Sequence, residues 1–159
     1  MTAQLMSCSA FTVLGVQSRI RRGSESPELF GRVWKTFELR RPEIAPVATQ
    51  AGYVGVSFPT NEEDVTDYVA GMVVAPGTPA PDGLSARTVD GGQYAVFECA
   101  VGSIGVTYQY VFGAWLPTAP VQFDAARAAF ERYPENTPDQ PVRLYIPIRQ
   151  TPTEVDPVR

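Results

Sequence analysis

With 159 residues, 44% of them hydrophobic and 19% charged, the chain is long enough for one soluble globular domain with a substantial buried core. Its net charge of -4 argues against nucleic-acid binding, which normally requires a basic surface. No apolar stretch approaches the roughly 20 residues that a membrane-spanning helix needs. We therefore expect neither nucleic acid nor a membrane as a direct partner.

The sequence contains no histidine, which excludes Ser-His-Asp and Cys-His catalytic systems, histidine-bearing zinc sites and an imidazole general base. Cys8 and Cys99 lie far apart without metal-binding spacing, so we expect no metal and no other cofactor. The N-terminus lacks the charged start and apolar block of a secretory signal. This favours a cytoplasmic protein with two reduced thiols, and a disulfide between them is the alternative.

The first half of the chain is predicted to form a strand, a helix and two further strands. Ser26 is the expected cap of the helix, with Pro27 at its first position, and Pro42 is expected to lie just beyond its end. The helix carries an apolar stripe that we assign to the core, and its aromatic members are Phe30, Trp34 and Phe37. The predicted strands are 11–20, 51–58 and 65–75.

The second half repeats this order after a connector rich in proline and glycine at 75–83. A kink at Gly91-Gly92 separates the first two extended segments, Ser103 is the expected cap of a second helix, and Pro117 is expected to end it. The predicted strands of this half are 84–89, 93–101, 123–133 and 142–149. The chain therefore shows two strand-helix-strand-strand units about 80 residues apart.

One helix for three strands cannot cover both faces of a sheet, which predicts an α+β fold with one mostly antiparallel sheet and both helices on one face. The opposite face would be free to curve around a ligand. We expect a single domain over 1–149, with repeat halves at about 10–75 and 84–149, and a loose tail at 150–159.

Five segments, in this order along nearly the whole chain, resemble the GyrI-like small-molecule-binding family. That family includes the effector-binding domains of AraC-type and MerR-type multidrug-responsive regulators of bacteria, and also stand-alone proteins. The segments are Val13-Leu14-Gly15-Val16, Phe30-x-x-x-Trp34-x-x-Phe37, Tyr53-Val54-Gly55-Val56, Asp67-Tyr68-Val69-Ala70-Gly71, and the C-terminal run from Gly91 through Phe130-Glu131-Arg132-Tyr133 to Ile148. The resemblance implies a curved sheet with a groove between the two helices on a pseudo-twofold axis.

The resemblance also implies a ligand and the residues that bind it. Family members bind hydrophobic, often cationic compounds between aromatic walls, with an acidic residue in the Phe-Glu-x-Tyr motif. Glu131 takes that role here, and Arg132 need not neutralise it because neighbouring strand residues face opposite ways. The implied wall residues are Tyr68, Trp115 and Tyr145, and Tyr53 and Tyr110 are further candidates for the wall. Without the resemblance, Glu131 would be interpreted as a solvent-exposed strand residue.

Three functions remain open at this stage. The first is binding of lipophilic or cationic compounds for sensing or sequestration, with no DNA-binding domain in the chain itself. The second is hydrolysis of strained electrophilic small molecules, with Glu131 as general base and Tyr68 or Tyr145 orienting the substrate. The third is a gyrase-inhibitor-like interaction with a protein partner, for which the acidic net charge offers loose support, although the acidic run 62–64 is too short to form a dense acidic face.

Overall fold

The computed structural model describes residues 2–23, 26–135 and 140–150. Within these ranges the chain forms nine β-strands and two α-helices. In chain order they are β1 (Gln4–Cys8), β2 (Phe11–Arg21), α1 (Ser26–Ile44), β3 (Tyr53–Pro59), β4 (Val65–Val74), β5 (Ser85–Val89), β6 (Gly92–Cys99), α2 (Ile104–Tyr110), β7 (Val121–Phe123), β8 (Ala129–Tyr133) and β9 (Val142–Gln150).

The strands form one antiparallel sheet whose order is symmetric about its centre. The order is β1-β6-β9-β8-β3-β4-β2-β5, and the short strand β7 pairs with β9. The units β2-α1-β3-β4 and β6-α2-β8-β9 occupy equivalent positions on either side of the central β3–β8 pair. This confirms the predicted α+β fold, with two repeated units in a single sheet.

The two repeats exchange their edge strands. β1 precedes β2 in the chain but pairs with β6, and β5 precedes β6 but pairs with β2. Cys8 is followed closely by Phe11, and Val89 by Gly92; connections this short span only about 11 Å. The sheet must therefore curl until its two edges lie beside each other. The sequence analysis did not predict β1, and it therefore did not predict that the sheet curls in this way.

Both faces of the curled sheet are packed. α1 and α2 each cover an apolar cluster on the outer face, in which Phe37 of α1 and Phe97 of β6 are fully buried. The inner face is filled by a third cluster drawn from almost every strand, including Tyr94, Phe130 and Tyr145. The expectation that the face opposite the helices is free for a ligand is therefore wrong, because the curl brings its own side chains together.

Several element boundaries differ from the sequence prediction. α1 continues through Pro42 to Ile44, because Pro42 is exposed in the last turn, where the carbonyl left unpaired can be hydrated. Ser26 is the first helical residue, and its hydroxyl donates to the carbonyl of Gly23 instead of capping the helix. The predicted strand 123–133 is two strands, because the Asp124 carboxylate accepts the N–H of Ala126 and forms a turn.

The second helical segment is irregular. A 3-10 turn at Val101–Ser103 leads into α2, which continues as a π-helix at Val111–Trp115 and a 3-10 turn at Leu116–Thr118. Ser103 makes no capping hydrogen bond, contrary to expectation, and the final turn includes Pro117.

Three further expectations concern the cysteines, the membrane and the tail. Cys8 and Cys99 are free thiols in the structure. No helix in the described part of the chain is long and apolar enough to cross a membrane. Gln150 ends β9, whereas residues 151–159 of the predicted loose tail lie outside the described residues.

Candidate ligand-binding site

Glu131 lies at the centre of the molecule, beneath the helices. Alternation along β8 directs Phe130 into the inner cluster and Glu131 to the helix-covered face. Its cross-strand neighbour in the central β3–β8 pair is Gly55. Only 6% of Glu131 is exposed, so the interpretation of this residue as a solvent-exposed strand carboxylate is wrong.

The carboxylate is held by phenol hydroxyls from several elements. Tyr68 of β4 donates to Oε1 of Glu131 at 3.2 Å, and Tyr133 of β8 donates to the same oxygen at 3.3 Å. Trp34 of α1 donates its indole N–H to the Tyr68 hydroxyl at 3.0 Å, which leaves the Tyr68 proton free for Glu131. The hydroxyl of Tyr108, from α2, also interacts with the carboxylate.

Burial controls the protonation of this cluster. Burial raises the pKa of Glu131 to about 7, and the hydroxyls of Tyr68, Tyr133 and Tyr108 limit the rise by donating to the charged form. Burial, and then the nearby carboxylate, raise the pKa of all three tyrosines, so they remain neutral donors at physiological pH. Oε2 of Glu131 is buried and has no hydrogen-bond partner among the described residues. Such an unpaired acceptor is costly unless the group is protonated or meets a cation.

Gly55 creates the space in which Tyr68 reaches the carboxylate. A Cβ at this position would lie 2.1 Å from the Tyr68 hydroxyl and 3.1 Å from Cζ2 of Trp34. Both contacts are closer than ordinary packing allows, so any larger residue would displace the hydroxyl from Glu131. The glycine in the Tyr53-Val54-Gly55-Val56 segment therefore has a packing role at the site.

A cavity of about 400 Å³ opens between α1 and the start of the second helical segment. Its lining residues are Trp34, Glu38, Tyr53, Val101, Ile104, Tyr133, Pro134 and Glu135. Glu131 does not line it, but Tyr133, which donates to Glu131, and Trp34, which donates to Tyr68, both do, and their rings pack edge to face at 4.9 Å. The cavity thus has aromatic walls, acidic residues at its rim, and a buried carboxylate bonded to one of its wall residues.

Tyr53 is one of the predicted wall residues that the structure does place in this cavity. Its ring packs edge to face against Phe37 at 5.6 Å, and its hydroxyl accepts a hydrogen bond from Arg41 at 3.1 Å. Tyr68 does not line the cavity, but its hydroxyl contacts Glu131 directly.

The structure does not bring the remaining predicted wall residues to Glu131. Tyr145 faces the inside of the curl, where its ring stacks on Phe130 with centroids 4.4 Å apart. Trp115 packs edge to face on Phe97 at 5.1 Å, and Tyr110 belongs to the same apolar cluster beneath α2. The three rings thus pack in the inner cluster and in the cluster against the second helical segment, away from the Glu131 carboxylate.

Three residues at the carboxylate were missed as site residues. Tyr133 lies two positions after Glu131 and therefore shares its face, a signal that strand alternation could have provided. Trp34 was assigned to the core from its helical stripe, yet its indole N–H is the donor that orients Tyr68. Tyr108 belongs to an irregular helix whose facing could not be fixed from periodicity.

Comparison with known proteins identifies the family. The family model for Cass2, integron-associated effector-binding proteins, matches residues 4–148. The chain belongs to this family. Cass2 membership confirms that the chain is an effector-binding domain, as its motifs predict, and such a domain binds ligands.

A curated relative and two solved structures extend this result. Transcriptional regulator BrlR of Pseudomonas aeruginosa is 30% identical over 156 residues, which are 93% of this chain and 56% of BrlR, so the chain spans little more than half of that relative. The structure of SAV2435 bound to tetraphenylphosphonium has a TM-score of 0.74 at 15% identity, covering 94% of both chains. The integron cassette protein VCH_CASS2 from the mobile metagenome of Vibrio cholerae has a TM-score of 0.70 at 17% identity, covering 92% of this chain and 95% of that one. At these identities the two structures show a shared fold.

Proposed function

We propose that this Cass2 domain binds lipophilic organic cations in the cavity between its helical segments, with Glu131 as the counter-charge. The observation that carries the proposal is a carboxylate only 6% exposed, with one oxygen unpartnered among the described residues and the other bonded to Tyr133, which lines the cavity. No histidine or metal is needed for such recognition, and the described residues contain no cluster of potential metal ligands.

The charges around the cavity favour a cation. Glu38 and Glu135 line it, whereas no lysine or arginine does so among the described residues. Glu38 is partly neutralised by Arg41, at 3.2 Å, and Glu135 is exposed to solvent, so Glu131 is the principal candidate for a negative charge shielded from water. Because the pKa of Glu131 is raised to about 7, a bound cation would shift the group toward its ionised form.

The aromatic walls supply the second part of the recognition. A cation above the face of a tryptophan or tyrosine ring gains about 0.5 to 2 kcal/mol per contact. Trp34, Tyr53 and Tyr133 all line the cavity, and flat rings accommodate ligands of different shape. In this proposal the cation sits on the outer side of Trp34 and Tyr133, and the carboxylate acts on it through a region of low dielectric.

The test is a titration with tetraphenylphosphonium followed by quenching of tryptophan fluorescence. The choice of probe follows from the structural relative solved with that compound. We expect saturable binding that is at least tenfold tighter than binding of triphenylphosphine oxide, a neutral compound with similar phenyl groups, because only the cation attracts Glu131. Equal affinity for the two compounds would contradict the proposal.

Hydrolysis of a strained electrophile is a second candidate, and the raised pKa of Glu131 is the observation that favours it. A carboxylate with a pKa of about 7 is well matched to a general base at neutral pH, and Tyr68 and Tyr133 could donate to the substrate. Ring opening of styrene oxide by the wild-type protein that is lost in Glu131→Gln would establish this function. If the wild-type protein does not turn over styrene oxide, binding without catalysis is the remaining function.

The acidic run at 62–64 supports neither a nucleic-acid mimic nor a protein interface. Glu62 and Asp64 both pair with Arg21, at 2.8 and 2.7 Å. This single arginine offsets one of the three negative charges, and a run of three exposed residues forms no dense acidic surface for a basic partner.

A further inference from the structure

A second cavity lies near the central strands and carries positive charge. It has a volume of about 420 Å³ and is lined by residues of β3, β8 and β9 and of the segment before β3. Two arginines, Arg132 and Arg143, line it, and no aspartate or glutamate does so among the described residues. In the part of the chain that the structure describes, the charged lining of the cavity is therefore cationic only, which favours an anionic occupant.

Arg132 has no carboxylate partner in the described part of the chain. Its Nη1 donates to the side-chain oxygen of Gln50 at 2.7 Å. Its guanidinium carbon lies 5.2 Å from the ring centre of Phe11 and 5.8 Å from those of Phe130 and Tyr145. Among the groups that the structure describes, only neutral ones fix the guanidinium in place, and none of them neutralises its charge.

The second arginine increases this positive charge. Arg143 faces Arg132 directly across the β8–β9 pair, an arrangement of like charges that destabilises a sheet. Arg143 pairs with Glu98 at 3.1 Å, but both side chains are more than half exposed and Glu98 does not line the cavity. An anion between the two arginines would relieve the repulsion that this exposed pair leaves.

We propose that this cavity is a second ligand site, for a small organic anion that carries a carboxylate or phosphate on an apolar body. Arg132 takes the anionic group through its planar fork of N–H donors, and Arg143 adds charge at the rim. The apolar body packs against Val54 and Tyr145, which line the same cavity. The site is separate from the cation cavity and shares with it only the wall formed by Tyr53, Tyr133 and Pro134.

The experiment is calorimetric titration of the full chain with 1-naphthoate and with 1-naphthyl phosphate. We expect at least one of them to bind saturably to the wild type and at least tenfold more weakly to Arg132→Gln, since the substitution removes the charged hydrogen bonds to the anionic group. The tighter of the two probes identifies the anionic group. The matched control is Arg87→Gln, because Arg87 also donates to a glutamine, at 2.7 Å, and lies 4.1 Å from a phenylalanine ring, but outside this cavity.

Three results would overturn the proposal: no binding of either anion to the wild type, equal binding to Arg132→Gln, or an equal loss in Arg87→Gln. If Arg132→Gln does not fold, Arg143→Gln decides the question, because Arg143 is exposed; it is expected to weaken binding at least threefold, and unchanged affinity counts against the site. Arg132→Gln should keep its tetraphenylphosphonium affinity within twofold, so failure of this site and failure of the cation site are distinguishable.

Discussion

Replacing Glu131 by glutamine is expected to weaken tetraphenylphosphonium binding at least tenfold at pH 8. The amide keeps the shape of the side chain but removes the charge, and an interaction with a charged partner in a shielded site contributes about 1.5 to 3 kcal/mol. At pH 8 most of the wild-type carboxylate is ionised, because its pKa is raised to about 7. The measurement is the dissociation constant from tryptophan quenching in both proteins.

The control for this substitution is Glu63→Gln, since Glu63 is an exposed glutamate in the loop before β4. It removes the same formal charge from the surface, where salt screens it, and should leave the affinity within twofold. An unchanged dissociation constant in Glu131→Gln would show that the buried carboxylate takes no part in binding.

The second large effect is on stability. The difference in free energy of unfolding between Glu131→Gln and wild type should shift by about 3 kcal/mol in favour of the variant as the pH rises from 4 to 8. The folded-state pKa of about 7 exceeds the ordinary value of 4.5, so the folded state holds this proton over a range in which the unfolded state has released it. The contribution of Glu131 to the free energy of unfolding is therefore present at low pH and is lost as the pH rises through its folded-state pKa. A glutamine at this position does not titrate, so its contribution does not change.

Denaturant unfolding at several pH values measures this difference, because each protein's free energy of unfolding is compared with wild type under identical conditions. Glu63→Gln again provides the control, with a difference from wild type that stays within about 0.5 kcal/mol, as is usual for surface substitutions. A difference between Glu131→Gln and wild type that does not change with pH would mean that burial does not perturb the carboxylate.

The repeated pattern of the fold could be predicted from sequence, because it depends on local signals. Helical stripes, strand composition and the proline-rich connector at 75–83 are all short-range features, and together they define two units in one sheet. The exchange of β1 and β5 between the halves could not be predicted in this way. It depends on pairings such as Gln4 with Val96, which are distant in sequence and arise only when the sheet curls.

The candidate site, like the fold, could be predicted from the sequence only in part. The motif identified Glu131, and alternation correctly placed Arg132 on the opposite face from it. Alternation gives only relative facing, however, and the absolute direction is set by which face the helices cover. For that reason Tyr145 was assigned to the wall but packs inside the curl, whereas Tyr133 and Trp34 are the residues at the carboxylate.

The most direct test of the account is the number of protons released when tetraphenylphosphonium binds at pH 7. Titration calorimetry in buffers of different ionisation enthalpy measures this number. With a pKa of about 7, roughly half of the Glu131 carboxyls are protonated before binding, so we expect release of about half a proton per cation in wild type and none in Glu131→Gln. Binding heats that do not depend on the buffer in the wild-type protein would contradict the claim that this buried carboxylate is the counter-charge.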